Sequence, residues 1–474
     1  MKTSKTGKPN IALLLPKFGE GFKQESIPLN LAYLGAVLEK AGYFVRGFNL
    51  DMEEISDEDI KKYPVFGISF PTAVFPSAIR LCRRIKKINP FAKIIVGGPH
   101  PTALPEECLA IKEIDFVIVS EGEIGLVEVM KFFKKELSLQ EVSNLVYRSA
   151  GKITHNKIEI VKDLDQLPFP AKHIFDVSLY PDKQKVYGDI IASRGCPFKC
   201  TNCKPALDKI SPYRIRKPEK VVEEMKALKE KYGVKHFTFS DSELVGPKVW
   251  VKKFTQEIIT QKLKITYSCN GRTDQIDKEI LKLLKKSGCV FIGFGIESGS
   301  QEVLDKILKK GINLEKSKQI IAETESFGIG TGAWFMVGIP GENEAQVRQT
   351  IHFSQQIGSS IIEINIATPW PDTGFNNIAK ENNWLVSEKF LKMNEKKSVF
   401  IATKFLSAKK TAELFKIFQS ELKKNGWKPD KTNTRFYHPD FQLRMLRLGL
   451  RTILHRGLTK NDLLKFIKWL KLQY

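Results

Sequence analysis

Twice along this chain, short apolar runs alternate with amphipathic segments, and no other feature constrains the fold as much. Between residues 10 and 140 the runs are Ile11–Leu15, Phe44–Asn49, Val65–Phe70, Lys93–Val96 and Phe116–Val119. Helical periodicity occupies Leu29–Ala41, closed by Gly42, and Phe75–Ile88. Strands this apolar, separated by helices, belong in a parallel sheet covered on both faces. Ligands bind such sheets in the crevice beyond the carboxyl ends of the strands. Small residues fall at those ends: GGPHPT, with Gly97 and Gly98, and SEGE, with Glu121 and Gly122. They read either as tight turns or as places where a bulky planar or nucleotide-bearing ligand approaches the backbone. No G-x-G-x-x-G follows the first run, so the ordinary nicotinamide fingerprint is missing.

A connector rich in turn residues, 145–188, follows, with a hairpin expected around Ser149–Lys152. The alternation then resumes. Strands are expected at Asp189–Ala192, His236–Phe239, Lys264–Asn270, Val290–Gly295, Gly332–Val337 and Ile361–Ala367. The intervening helices are Pro218–Tyr232, Lys248–Thr260, Asp277–Lys286, Ser300–Lys309, Leu314–Phe327 and Glu344–Ile357. Six such repeats over 189–374 fit a partial (β/α)6 barrel, whose functional groups would lie on loops after the strands. The remaining residues, 375–474, read as mostly helical and basic.

The loop after the first barrel strand is ASRGCPFKCTNC, which spaces Cys196, Cys200 and Cys203 as C-x3-C-x2-C. Three thiolates can hold three irons of a cubane [4Fe–4S] cluster and leave the fourth open to a substrate or cofactor. A structural zinc needs a fourth ligand, and the next histidine is His236; a ferredoxin-like centre needs a fourth cysteine, and the next is Cys269. The other cysteines, Cys82, Cys108, Cys269 and Cys289, are scattered and are expected to be small buried hydrophobes. An odd total of seven argues against a disulfide framework.

The cysteine loop resembles the signature of the radical SAM superfamily, and the order IPLNLAYLGAVLEKAGY, VFGISF, IIVGGPHPT, SEGE resembles the cobalamin-binding domain that precedes many of its members. That resemblance implies a Rossmann-like cobalamin domain over 1–144 followed by the barrel. It also implies S-adenosyl-L-methionine chelated to the open iron, split by an electron into a 5′-deoxyadenosyl radical. By the same resemblance, Gly97, Gly98, Glu121 and Gly122 would border the corrinoid. Ser240 and Asp241 would lie near the cluster, with Asp241 taking the methionyl amine and Arg272 a carboxylate. Gly295 would admit the cofactor backbone, Glu297 or Ser298 would accept from ribose hydroxyls, and Gly338 and Pro340 would lie beside the adenine. TPWPDTGF would form a substrate loop. The sequence departs from the family in three places. Asn202 stands where an aromatic residue usually precedes the last cysteine, and Ser240 where the family often has an acid. The loop PKFGEGFKQESIP has no histidine to ligate cobalt from below. His100, the histidine of this domain, is expected to be a loop or tail contact.

The function so implied is cobalamin-dependent methylation, through methylcobalamin, of a non-nucleophilic carbon in a small-molecule or lipid-like substrate. Cyclisation, rearrangement or carbon–carbon joining without methyl transfer is the alternative. An external electron donor such as flavodoxin or ferredoxin is expected. A net charge of +23 would attract RNA, anionic lipid or a phosphorylated substrate, yet lysines spread over evident helices equally make a solvated surface. Nucleic acid is not favoured, because RNA-modifying relatives bring three further cysteines and only Cys82 and Cys108 precede the barrel. No stretch reaches the roughly 18 apolar residues that span a bilayer, so a cytoplasmic location is expected. FYHPDFQLRMLR resembles the tail of cobalamin-dependent members acting on lipids or pigments. The basic, tryptophan-bearing end, NDLLKFIKWLKLQY, fits either a domain cap or a membrane-surface contact.

Overall fold

The computed structural model describes residues 10–18, 24–180, 182–203, 212–386 and 399–446. The expected amphipathic segments at 387–398 and 447–474, Trp469 among them, lie outside the described residues. The chain divides into two compact units. The first comprises 1–189 with 207–214 and 389–393; the second holds 190–206, 215–388 and 394–474.

In the first unit β1 (Asn10–Leu15), α1 (Leu29–Lys40), β2 (Phe44–Asn49), α2 (Asp57–Lys62), β3 (Val65–Ser69) and α3 (Phe75–Ile88) lead into β4 (Lys93–Gly97). Short helices α4 (Pro99–Ala103) and α5 (Pro105–Leu109) precede β5 (Phe116–Ile118) and α6 (Gly122–Phe133). The strand order is β2-β1-β3-β4-β5-β6-β7, and the first five strands are parallel. Every residue of β3 is buried, as a strand covered on both faces requires. The expected hairpin is β6 (Leu145–Ser149) and β7 (Lys152–His155), turning through Ala150 and Gly151, both at positive φ. Such a turn matches strand twist. The hairpin extends the sheet antiparallel from β5, so residues 145–155, expected as the start of the connector, belong to the sheet. The segment after it stays within the first unit: Lys172 is buried and donates to the carbonyls of Tyr187 and Asp189, 2.7 Å each.

After α7 (Lys183–Gly188) the second series begins with β8 (Asp189–Ile190), β9 (Ser193–Arg194), β10 (Arg214–Ile215), α8 (Pro218–Tyr232), β11 (His236–Phe239) and α9 (Lys248–Thr260). It continues through β12 (Thr266–Gly271), α10 (Lys278–Ser287), β13 (Cys289–Glu297), α11 (Leu314–Ser326), β14 (Gly330–Val337), α12 (Glu344–Gln356) and β15 (Ile361–Ile366). The sheet order β16-β17-β15-β14-β13-β12-β11-β8 has two ends, so the ring is open, and β11 to β15 are parallel. Outward residues Phe237 and Phe239 on β11 are buried, and Phe239 packs edge-on to Phe254 of α9. Helix ends follow their sequence signals: Asp277 caps α10 and Gly288 ends it at φ +110°, while Asn343 and Gln346 form a capping box on α12.

Two differences from expectation matter. The helix expected over Ser300–Lys309 is a π-turn at Val303–Ile307, where the Leu308 N–H reaches back to the Val303 carbonyl at 2.9 Å. The tail, expected to be helical, has α13 (Gly374–Glu381) and α14 (Ala408–Lys424), but FYHPDF adds β17 (Arg435–Tyr437) antiparallel to β15, with β16 (Lys428–Pro429) outside it. Phe441 and Met445 then pack with Val290, Phe291 and Ile361. The four scattered cysteines are free and buried, as small hydrophobes should be.

Candidate active site

In the second unit the cysteine loop leaves β9 through Gly195, at φ +74°, and is held from several sides. Asp241, just past β11, is 2% exposed and accepts from the Ala192 N–H at 3.0 Å and from the Ser193 N–H and hydroxyl. Burial pushes its carboxyl up to about 6 while those donors pull it down. Asp241 is therefore committed to the entry of the cysteine loop, and the exposed Ser240 contributes its N–H to the Ile190 carbonyl. On the far side, Thr201, between the second and third cysteines, donates its N–H to the carbonyl of Leu308 at 3.0 Å, just after the π-turn. A Cβ on Gly374, at the start of α13, would lie 2.7 Å from the Thr201 carbonyl oxygen, so the TPWPDTGF segment presses on the loop and admits only glycine there.

The three thiols face charged neighbours. Arg272, after β12, points Nη1 at the Cys200 sulfur, 3.6 Å away, and lies over the Phe198 ring, 3.8 Å from its centre. The carboxylate it meets is that of Asp274, through Nε and Nη2 at 3.0 and 2.9 Å. Glu297 ends β13 in the left-handed region at φ +71°, an uncommon conformation for a residue with a side chain. Its carboxylate pairs with Lys310 at 3.1 Å, over the space that Gly295 leaves open, since a Cβ there would collide with the Glu297 oxygen. Burial and the neighbouring thiols push Cys203 up to about 12, so three adjacent thiolates require cationic partners or metal to persist.

Other expected site residues have partners within the fold. Ser298 is fully buried, shares a hydrogen bond with Thr350 of α12 at 3.2 Å and accepts from the Ser300 N–H. Gly338, at φ +86°, and Pro340 form a buried turn whose Gly338 and Ile339 N–H groups donate to Glu342.

Sequence reasoning missed Glu243, Lys310 and Glu342. Glu243 is 1% exposed, and its Oε1 has no hydrogen-bond partner among the described residues. Burial pushes it up to about 8, against the pull of Arg272 and Lys310, and its charge acts on Cys196. The available signal was an acid followed directly by Leu244 and Val245 in a strand-end loop. Among the described residues no three His, Cys, Asp or Glu side chains converge on one ion. A cubane does not require that, because each thiolate takes a different iron. Three thiols, two cations and a buried carboxyl with one oxygen lacking a hydrogen-bond partner thus suit a cluster with an open iron and a ligand bearing an ammonium group.

In the first unit, the order β2-β1-β3 puts the topological switch point, and its crevice, between β1 and β3. Gly97 and Gly98 lie at its rim; Gly98 has φ +94°, and a Cβ would stand 2.6 Å from the Ser69 hydroxyl, which accepts from Asn30 at 2.8 Å. Gly122 faces Leu34 of α1, 3.0 Å from where its Cβ would be. Glu121 pairs with Arg214 through both oxygens and accepts from the Val161 N–H at 3.0 Å. His100 is 1% exposed, its ring 4.2 Å from that of Phe75, with Nδ1 3.3 Å from the Thr72 hydroxyl. Small residues at a switch-point rim leave room for a large planar group.

The Radical SAM superfamily profile matches residues 190–354, and the B12 binding domain profile matches residues 19–130. This chain is a radical SAM enzyme with a B12-binding domain. The radical SAM enzyme is 28% identical over 391 residues to the uncharacterized methyltransferase PH0819 of Pyrococcus horikoshii, covering 80% of this chain and 84% of that protein. It is 28% identical over 365 residues to the anaerobic magnesium-protoporphyrin IX monomethyl ester cyclase of Rubrivivax gelatinosus, covering 73% of this chain and 64% of that one. Its fold is similar to that of the radical S-adenosylmethionine methyltransferase TsrM from Kitasatospora setae, solved with cobalamin and a [4Fe–4S] cluster. The TM-score is 0.68 at 16% identity, over 93% of this chain and 90% of that one. No helix among the described residues is long and apolar enough to cross a membrane.

Proposed function

We propose that this radical SAM enzyme is a cobalamin-dependent methyltransferase acting on a non-nucleophilic carbon of a small-molecule or lipid-like substrate. The observation that carries the reading is the three-thiol loop lying beside the buried Glu243, whose Oε1 has no hydrogen-bond partner among the described residues, in a chain that also has a B12-binding domain. When bound, the cluster with S-adenosylmethionine supplies hydrogen abstraction from unactivated carbon, and methylcobalamin supplies the methyl group.

The protein's part is geometry and exclusion. Cys196, Cys200 and Cys203 hold three irons, and Asp241 fixes the backbone from which they hang. Glu243, buried with no donor on Oε1, receives the methionyl ammonium, which offsets the cost of burying a carboxylate. Gly295 and the Glu297–Lys310 pair border the nucleoside, and Gly97 and Gly98 border the corrinoid. Electrons come from an external one-electron donor of the flavodoxin or ferredoxin class.

A second reading, ring formation or rearrangement without methyl transfer, is favoured by the likeness to the magnesium-protoporphyrin cyclase. Anaerobic reconstitution with methyl-labelled S-adenosylmethionine and a panel of candidate substrates separates the two by mass spectrometry. Label in the product supports transfer, and 5′-deoxyadenosine with an unlabelled, rearranged product supports the second reading. Neither product, from a chain holding a reduced cubane, overturns both.

A further inference from the structure

We infer that Arg272, a positioning residue clamped by Asp274 and by the Lys310 carbonyl, donates a hydrogen bond to the Cys200 sulfur and thereby sets the reduction potential of the cluster. The inference rests on the proposed placement of that cluster on Cys196, Cys200 and Cys203.

The guanidinium has little freedom. Nε and Nη2 take the two Asp274 oxygens at 3.0 and 2.9 Å, Nη2 also donates to the Lys310 carbonyl at 2.5 Å, and the plane covers the Phe198 ring. These contacts come from the loop after β12, the segment after the π-turn, and the cysteine loop itself. With the fork fixed on three sides, Nη1 is left aimed at the Cys200 sulfur at 3.6 Å. Arginine suits this task because its donors sit in a rigid planar array, whereas a lysine would present one rotating ammonium. The face-on contact with Phe198 adds a cation–π attraction that ties the donor to the loop carrying the sulfur.

Charge balance points the same way. Arg272 with Asp274 and Lys310 with Glu297 make two ion pairs beside the thiols, and the cationic side chain of each is 8% exposed. Ion pairs this buried are weak sources of stability, because desolvation offsets most of the attraction. Their cations become favourable when three thiolates and an electron-rich cluster share the low-dielectric space. One electron from the external donor adds one negative charge to the cluster, and an N–H directed at a ligand sulfur stabilises that form more than the oxidised one. Hydrogen bonds to the sulfurs and local charge are among the levers that set such potentials.

The test is an EPR-monitored redox titration of the anaerobically reconstituted full chain, with iron content measured in parallel. Arg272→Gln should keep its iron and, at a fixed ambient potential, show a ratio of reduced to oxidised cluster about tenfold lower, which for one electron is a midpoint about 59 mV more negative. Arg272→Lys, which keeps the charge and loses the directed fork, should fall between. Asp274→Asn, which leaves Arg272 unneutralised, should move the midpoint the other way. Full iron with a wild-type midpoint in Arg272→Gln overturns the inference and leaves the proposed cluster standing. If that variant loses its iron, Asp274→Asn decides: a raised midpoint supports the inference, and an unchanged or lowered one overturns it. A wild-type chain with no cubane overturns the inference together with the reading beneath it.

Discussion

At the carboxyl edge of the first sheet, acids and glycines pack on the protein itself; at the cysteine loop of the second, one carboxyl oxygen is left over. Glu121 gives both oxygens to Arg214 and a further bond to Val161, Gly98 exists because β3 runs beneath it, and Gly122 because α1 does. Beside the cysteines, Arg272 and Lys310 are paired, but Oε1 of Glu243 has no hydrogen-bond partner among the described residues. A strand-end motif in a parallel sheet can therefore record a backbone packing need or a ligand, and the free hydrogen-bonding capacity tells which. The first edge offers a cofactor shape; the cysteine loop offers an unsatisfied carboxyl oxygen.

The largest effect that would break this contrast is at the cysteines. Cys200→Ala should reduce iron content after anaerobic reconstitution to background and abolish 5′-deoxyadenosine formation, while cobalamin binding, read by its absorbance after gel filtration, persists. Next in size is the Glu121–Arg214 pair, about a tenth exposed on each side. Removing one partner of so enclosed a pair costs on the order of 3 kcal/mol, so Glu121→Gln should shift the urea midpoint markedly and leave iron content unaltered. Gly98→Ala places a methyl against the Ser69 hydroxyl in a backbone region that side chains avoid, and should cost about 1–3 kcal/mol in the same assay.

A comparison by pH concerns a second buried acid, Glu342, which like Glu243 keeps one oxygen without a hydrogen-bond partner among the described residues. Glu342 is fully buried, and burial pushes it up to about 8 although Gly338 and Ile339 donate to it. Unfolded, it ionises in the usual carboxylate range, so the unfolded chain releases a proton that the folded chain keeps. Its contribution to stability is therefore whole at low pH and is lost as pH rises from about 4.5 to 8, by up to about 1.4 kcal/mol per pH unit. Glu342→Gln should flatten that part of the stability–pH curve, and an unchanged slope from denaturation at pH 5, 6, 7 and 8 would contradict the assignment.

Alternation of apolar runs and helices made the two sheets legible, because buried parallel strands tolerate little but aliphatic and aromatic side chains. The C-x3-C-x2-C spacing was legible because thiolate chemistry demands it. The partners were not. Asp241 and Glu243 stand two residues apart in FTFSDSEL; the first is saturated by the N–H groups of Ala192 and Ser193 and the second keeps Oε1 without a partner among the described residues, a difference made by loops distant in sequence. Lys310 follows a π-turn that replaces the regular helix expected over Ser300–Lys309, and no local preference announces an extra residue in a turn. β17 was hidden likewise: FYHPDF reads as a helix approach until pairing with β15 claims it.

The central claim is that three cysteines leave one iron of a cubane open to S-adenosylmethionine, and Mössbauer spectroscopy of the chain reconstituted with ⁵⁷Fe tests it most directly. The account predicts a cubane in which one iron of the four changes its isomer shift when S-adenosylmethionine is added. A cubane whose four irons stay unaltered by saturating S-adenosylmethionine, or iron bound in any other form, would contradict it.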